Sequence, residues 1–377
     1  MKPTSQEILR IVRLAVASAE GVVDRLRRRV SRRMGTNPPR RIAAYQGHSG
    51  PLAVCLSGRV LSNRPRGGPL DDDGWWDNLV NTWDRWESDE VAGVPVTVRY
   101  QNQVRIVTTD EEGYYQAEFP AAPRSRGRLA WHMASASTGT VGREIHGVHE
   151  IMVPPADARF GIISDLDDTV IHTGVTSLLL AAKLTFLRNA KTRKPLDGVA
   201  VLYQSLQRGG GGIPLNPIFY VSSSPWNLHE LLVDFLRLND IPRGPLFLRD
   251  LGLGRTGFLQ GNGHGHKSEK ALALMDIHPD LSFVLIGDSG QDDPQLYLDL
   301  ARLRPGRILA IYIRDVDPDA DSLRDQATRR AVANAAAVGV PMLLARDSVS
   351  ISKHARRIGL IPDESIDEVV AEVAADQ

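Results

Sequence analysis

The sequence predicts an α/β protein: a doubly wound, mostly parallel sheet with helices on both faces, preceded by a small antiparallel β-sandwich and a basic amphipathic N-terminal helix. Three observations predict it. From about residue 158 the apolar runs FGII, IFYV, FVLI and ILAIYI alternate with helical stretches at 176–190, 226–238, 267–275 and 322–337, the pattern of βα units. Between 52 and 153 the segments LAVCLSGRVL, VPVTVRYQ, VRIVTTD, YYQAEF and RLAWHMA are short, β-branched or aromatic, and separated by turn residues. At the start, Ile8, Ile11, Val12, Ala15, Val22, Leu26 and Val30 recur at the spacing of one helix face.

The opening helix is strongly basic. Residues 1–41 hold eleven Lys or Arg against three acids, a net of +8, although the 377-residue chain as a whole balances 45 basic against 45 acidic residues. Bulk charge therefore favours neither nucleic acid nor membrane, and any such preference is local. The next expected domain, 52–153, carries an insertion with Trp75, Trp76, Trp83 and Trp86, read as a cover for the sandwich. The alternating βα pattern spans 158–345, and 346–377 reads as a polar helical tail without chemistry. The tetraglycine Gly209–Gly212 reads as a surface connection.

Composition excludes several classes. A single cysteine, Cys55, rules out intramolecular disulfides and thiolate metal sites, and its apolar setting reads as a buried strand position. No apolar run reaches the roughly 18 residues of a membrane span, and Arg10 and Arg13 interrupt the only stretch resembling a signal-peptide core. A cytosolic or peripheral protein is expected.

In open parallel sheets ligands collect at the carboxyl ends of strands. The residues that follow the apolar runs are Asp165, Asp167 and Thr169, then Ser222 and Ser223, then Asp288 and the SGQDD loop. Oxygen ligands from three strand ends thus converge on one edge. A calcium loop starting at Asp165 is excluded, because its sixth and twelfth positions, Val170 and Thr176, are neither glycine nor glutamate. In SSSPWNL the helix-start rules assign Ser224 to the N-cap and Pro225 to the first turn, leaving Ser222 free for a ligand, with Ser223 as second choice. Asp293 before Pro294 reads equally as a helix cap or a site residue. Lys267, near a helix start where its charge opposes the helix dipole, is the cation such an acidic site needs, with Lys270 as alternative. His264 and His266 lack a third ligand nearby and read as loop histidines.

With these residues in place, the chain resembles the haloacid-dehalogenase-type (HAD) phosphotransferases. More narrowly, SDLDDTVIHTGVT, FYVSSSPWNLHELL, GPLFLRD, HKSEKALALMDIHPDLSFVLIGDSGQDDP and RILAIYIRDV resemble the catalytic domain of the actin-patch-protein type of Mg²⁺-dependent phosphatidate phosphatase, and LSGRVL, ESDEVAGVPVTVRY and DEEGYYQAEF resemble the β-domain that precedes it in bacterial members. The resemblance covers about 52–318. It implies Asp165 as the nucleophile, Asp167 as general acid and then base, Ser222 and Lys267 on the phosphoryl oxygens with Thr169 and Ser223 beside them, and Mg²⁺ on Asp165, the Asp167 carbonyl, Asp288 and a trailing acid. Asp292 and Asp293 both fit that last position, and the narrower family's motif favours Asp293.

The implied substrate is a phosphate-bearing lipid. Residue types at the site report on the phosphoryl group and little else, so a soluble phosphomonoester or phosphoprotein stands as the alternative, and a non-catalytic lipid-binding module as a third. The leucine-rich stretch SLLLAAKLTFLRNA reads as core or as a lipid-facing wall. The basic N-terminal helix is expected to lie on an anionic membrane or to be a solvated arm. No nucleic acid is expected, for want of interleaved aromatics.

Overall fold

The computed structural model describes residues 40–62, 89–140, 142–167, 169–170, 196–211, 216–249, 263–316 and 322–376. The basic helix over residues 1–39, the tryptophan insertion, the expected helix 176–190 and Asp168 lie outside the described residues. So do Gly212 and the side chain of His264.

The first sheet joins β1 (Arg40–Ala44), β2 (Gly47–Ser49), β3 (Ala53–Ser62), β4 (Asp89–Glu90), β5 (Pro95–Tyr100), β6 (Gln103–Thr108), β7 (Tyr114–Pro120), β8 (Ala130–Thr138) and β9 (Ile145–Val153). β3 is its spine: β1 and β2 lie along one edge, β7 and β4 along the other. β2 then pairs in parallel with β9, which leads antiparallel through β8 and β5 to β6. In place of the two antiparallel sheets of the expected β-sandwich, these strands form one continuous sheet with a single parallel junction among the described pairings. Its alternating inward residues, including Val54, Leu56, Val96, Val98, Tyr115 and Phe119, meet in one buried core. The β region begins earlier than residue 52, and Arg40 and Arg41, counted above with the basic helix, are strand residues. Cys55 is half-buried on β3, and burial, reinforced by Glu118, pushes its thiol up to about 11, which leaves it unreactive.

The second sheet is wholly parallel in its described pairings: β10 (Gly161–Ser164), β11 (Ile218–Pro225), β12 (Leu246–Arg249), β13 (Phe283–Asp288), β14 (Ile308–Arg314) and β15 (Met342–Ala345), in the spatial order β12-β11-β10-β13-β14-β15. Successive residues of one strand enter opposite cores. Ile162, Ile218, Val284 and Tyr312 pack on one face, and Ile163, Phe219, Leu285 and Ile313 on the other. Burial on both faces is why these strands read as unbroken apolar runs.

The first face is covered by α1 (Val199–Arg208), α2 (His229–Leu238), α6 (Ser348–Arg357) and α7 (Ser365–Asp376), the second by α3 (Gly263–Ile277), α4 (Asp293–Leu303) and α5 (Leu323–Ala337). Ile351, Ala355, Leu360 and Val369 belong to the first core, so 346–376 packs as part of the α/β unit. Among the described residues no helix is long and apolar enough to cross a membrane.

The two sheets share an apolar contact. Tyr45 stacks on Trp226 with ring centroids 4.2 Å apart, His48 Nδ1 lies 3.3 Å from His278 Nε2 against the Phe219 and Phe247 rings, and Met152 of β9 joins the second core.

Candidate active site

β10 is flanked by β11 on one side and β13 on the other, so the chain's winding reverses at its carboxyl end. Ser164 is level with Tyr220 and with Ile286. Two residues further on, Leu166, Ser222 and Asp288 reach one height, which brings three loops to a common point. Asp165 is anchored there by its own amide, which donates to the Ile286 carbonyl at 2.9 Å. The loop then closes as a single helical turn, with the Val170 amide on the Leu166 carbonyl at 3.0 Å. Leu166 is buried in the first core, which leaves Asp165 and Asp167 on either side of it to face the site.

Asp165 is fully buried. Its Oδ2 lies 3.2 Å from Lys267 Nζ and accepts from Gln291 Nε2 at 3.3 Å, while its Oδ1 and the nearby Thr169 Oγ1 are buried without a hydrogen-bond partner among the described residues. Lys267 reaches it from the second turn of α3 and also donates to Asp293 Oδ1 at 2.8 Å. Lys270, the alternative, is half-exposed. Asp293 Oδ2 in turn accepts the Asp288 amide at 3.3 Å. Of the two acids Asp293 is thus the one that joins this cluster, and Asp292 stands at the N-cap position of α4 without capping it through its side chain.

The glycines of GDSGQDD have a steric reason. A Cβ on Gly287 would lie 2.8 Å from Asp293 Cβ and from the Tyr297 ring, and one on Gly290 would lie 2.9 Å from Asp288 Oδ1. Only glycine lets these carboxylates close in.

The charges are strongly coupled. Complete burial pushes Asp165 well above the ordinary carboxylate range; Lys267 opposes this, and Asp293, Asp288 and Asp167 reinforce it. Burial disfavours the Lys267 ammonium, but Asp165 and Asp293, with Asp288 behind them, hold its proton more tightly than usual. One oxygen from each of Asp165, Asp288 and Asp293 falls within 4.8 Å of the others. Three carboxylates against one ammonium, with Asp165 Oδ1 unpartnered, match the oxygen donor set of a hard divalent cation. Asp293 has its oxygens engaged by Lys267 and the Asp288 amide, and Asp288 has its own engaged by the Gln291 amide and side chain, which leaves Asp165 Oδ1 as the carboxylate oxygen of the three without a partner among the described residues. His266 does not join this group: it is half-buried, apart from the aspartates.

β11 departs from expectation. The strand runs on through Pro225, which pairs with Arg249 of β12 beyond a bulge, and the helical turn begins only at Trp226. Ser224 is therefore a strand residue, not an N-cap. Side chains alternate along a strand, so Ser222 and Ser224 point the same way and Ser223 turns aside. Both hydroxyls donate to Asp167 Oδ2, Ser222 Oγ at 2.9 Å and Ser224 Oγ at 3.0 Å. Ser222 is brought to the site, but its proton is directed to Asp167.

Three further residues were missed by sequence reading. Gln291 bridges Asp165 and Asp288 through Nε2, and its Oε1 accepts from Lys267. Its signal was its place inside the SGQDD loop. Ser164 Oγ donates to the Asp165 carbonyl at 2.6 Å and lies 2.6 Å from Tyr203 Oη, a buried contact from α1 that no local motif announces.

Residues 160–315 match the family described as phosphatidate phosphatase APP1, catalytic domain. The segment is an APP1-type catalytic domain. It is 33% identical over 155 residues to phosphatidate phosphatase APP1 of Saccharomyces cerevisiae, covering 41% of this chain and 25% of that protein. An uncharacterized Schizosaccharomyces pombe protein is 31% identical over 170 residues, covering 44% of this chain and 27% of its own. The chain thus spans about a quarter of the length of these relatives. Among solved structures, a carbohydrate acetylesterase from Xanthomonas citri aligns over 87% of this chain and 71% of its own at 8% identity, with a TM-score of 0.29, too low to bear on the fold. Every site residue described above, from Ser164 to Tyr297, lies inside the matched segment.

Proposed function

We propose that the protein is a Mg²⁺-dependent phosphatidate phosphatase with a HAD-type catalytic domain, cleaving the phosphomonoester to diacylglycerol and inorganic phosphate. The observation that carries the reading is a fully buried Asp165 whose Oδ1 has no hydrogen-bond partner among the described residues, set beside Lys267, in a segment of the APP1 type.

Asp165 is the nucleophile. One of its carboxylate oxygens bonds to phosphorus while the bond from phosphorus to the ester oxygen breaks. Asp167 gives that leaving oxygen its proton. It then takes a proton from the water that opens the acyl phosphate, returning both carboxyl groups to their starting state. Lys267, held cationic by its carboxylate neighbours, offsets the negative charge of the phosphoryl group, and Thr169 Oγ1 offers it a hydroxyl. Asp165 and Asp288 would hold Mg²⁺, with the Asp167 carbonyl completing the set and Asp293 fixing Asp288 and Lys267. Bound there, the cation neutralises the repulsion between a carboxylate and a phosphate dianion.

Rapid acid quench of the protein turning over phosphatidate with Mg²⁺ tests the mechanism. Mass spectrometry should find a phosphoryl group on Asp165, absent from Asp165→Asn. Steady turnover by Asp165→Asn would refute the nucleophile. Docking on an anionic membrane through the basic N-terminal segment belongs to the same proposal. Removing residues 1–39 should weaken co-sedimentation with anionic vesicles, and unchanged sedimentation refutes that role.

A further inference from the structure

We infer that Tyr203 is a positioning residue for the nucleophile: its phenol fixes Ser164, Ser164 fixes the Asp165 carbonyl, and the Asp165 carboxylate is thereby presented in one orientation. The inference rests on the phosphatase reading above.

The contacts form a short relay. Ser164 Oγ donates to the Asp165 carbonyl at 2.6 Å and lies 2.6 Å from Tyr203 Oη. A serine hydroxyl carries one proton, and here it points at the carbonyl, so the phenol is the donor to Ser164. Ser164 and Tyr203 are 0% and 1% exposed. The Asp165 amide is held separately, by the Ile286 carbonyl at 2.9 Å. Both backbone polar groups of Asp165 are then tied, one to β13 and one through Ser164 to α1, which fixes the backbone from which its side chain projects.

Tyr203 is in turn held by the seating of α1, which is gripped by the C-terminal helices, beyond the family-matched residues 160–315. Ser348 Oγ donates to the Asp197 carbonyl at 2.7 Å, Glu372 Oε2 accepts the Val201 amide at 3.1 Å, and Glu368 pairs with Arg208 at 2.8 Å. Contacts at both ends of α1 set the height of its middle, where Tyr203 meets Ser164. Removing the phenol hydroxyl frees the Ser164 side chain among its staggered rotamers, and the Asp165 carbonyl then keeps its donor only part of the time. Attack needs the carboxylate close to phosphorus and aligned with the leaving oxygen, so a small drift slows the reaction without weakening substrate binding.

Neighbouring Tyr220 supplies the control. It stacks on Tyr203 with ring centroids 6.5 Å apart and planes 3° from parallel, it is fully buried, and its hydroxyl donates to the carbonyl of Pro242, between α2 and β12. On phosphatidate in mixed micelles with Mg²⁺, Tyr203→Phe should lower kcat about tenfold with KM changed less than about twofold, whereas Tyr220→Phe, which also deletes a buried hydroxyl, should keep kcat within about twofold. Ser164→Ala should match the Tyr203→Phe loss and leave the buried phenol without its partner. Adding Tyr203→Phe to Ser164→Ala should raise the Tm again yet leave kcat within about twofold of Ser164→Ala alone. A purely structural role predicts that the rate recovers with the Tm. That recovery, equal losses in Tyr203→Phe and Tyr220→Phe, a loss carried by KM, or full activity of Tyr203→Phe overturns the inference. Wild-type protein that releases no phosphate from any ester in the presence of Mg²⁺ overturns the phosphatase reading and this inference with it. An active wild type with any of the preceding results overturns the Tyr203 role alone.

Discussion

The Lys267 ammonium sits 2.8 Å from Asp293 Oδ1, both groups almost wholly buried, and Asp293's other oxygen accepts the Asp288 amide. This pair ties α3 to the first residue of α4 and so sets the distance between the cation and the carboxylates of the site. Replacing Lys267 with Met leaves buried carboxylates without their counter-charge. The expected outcome is a loss of at least about a hundredfold in kcat and of about 3 to 5 kcal/mol in stability, read from steady-state rates and urea midpoints. Lys267→Arg should not rescue activity, since a planar guanidinium cannot occupy a point-charge site on two carboxylates at once.

Divalent cation should stabilise the fold through the same cluster. At a hundredfold excess over its dissociation constant, a ligand bound only to the native state adds about 2.7 kcal/mol. Mg²⁺ should therefore raise the Tm of the wild type, EDTA should reverse the rise, and Asp288→Ala should abolish it. An equal rise in Asp288→Ala would place the cation elsewhere.

The contact between the two sheets should be acid-labile. Burial lowers His48 from 6.5 to about 4, and burial lowers His278 well below its ordinary value, with His48, Arg124 and Arg307 adding to the effect. Both rings are then neutral in the folded protein over a range where the unfolded chain binds protons. Their contribution is fully present above pH 6.5 and is lost as pH falls from 6.5 toward 4, on the order of 3 kcal/mol for His48. Urea midpoints across that window should fall steeply in the wild type and less steeply in His48→Gln. Parallel slopes in the two proteins would exclude the pair as the source.

Much of this site was legible because a parallel strand buried on both faces ends where its first polar residue begins. Asp165, Ser222 and Asp288 could be named from the ends of FGII, IFYV and FVLI for that reason. Ser224 could not. A serine before proline satisfies every local rule for a helix cap, and only pairing of Pro225 with Arg249 on the neighbouring strand keeps the chain extended long enough to turn Ser224 toward Asp167. Gln291 was hidden because amides are common in loops, and its bridge between Asp165 and Asp288 depends on a fold that brings two strand ends together.

The β region shows the same boundary. Long alternating strands such as β3 and β7 were readable, whereas β2 is three residues long and β9 is broken in sequence by Gly147. That glycine exists for close approach: a Cβ there would lie 2.7 Å from the Ile42 side chain of β1. A residue that looks like a turn signal thus serves a tertiary contact, and with it the continuity of the sheet through β2 and β9 was lost to local reading.

Phosphate release from purified protein with Mg²⁺, comparing phosphatidate in mixed micelles with a panel of soluble sugar phosphates, nucleotides and phosphopeptides, bears most directly on the proposed function. The account predicts that phosphatidate is turned over with a kcat/KM at least about tenfold above any soluble ester and that Asp165→Asn abolishes release. Preference for a soluble ester, or release that survives Asp165→Asn, would contradict it.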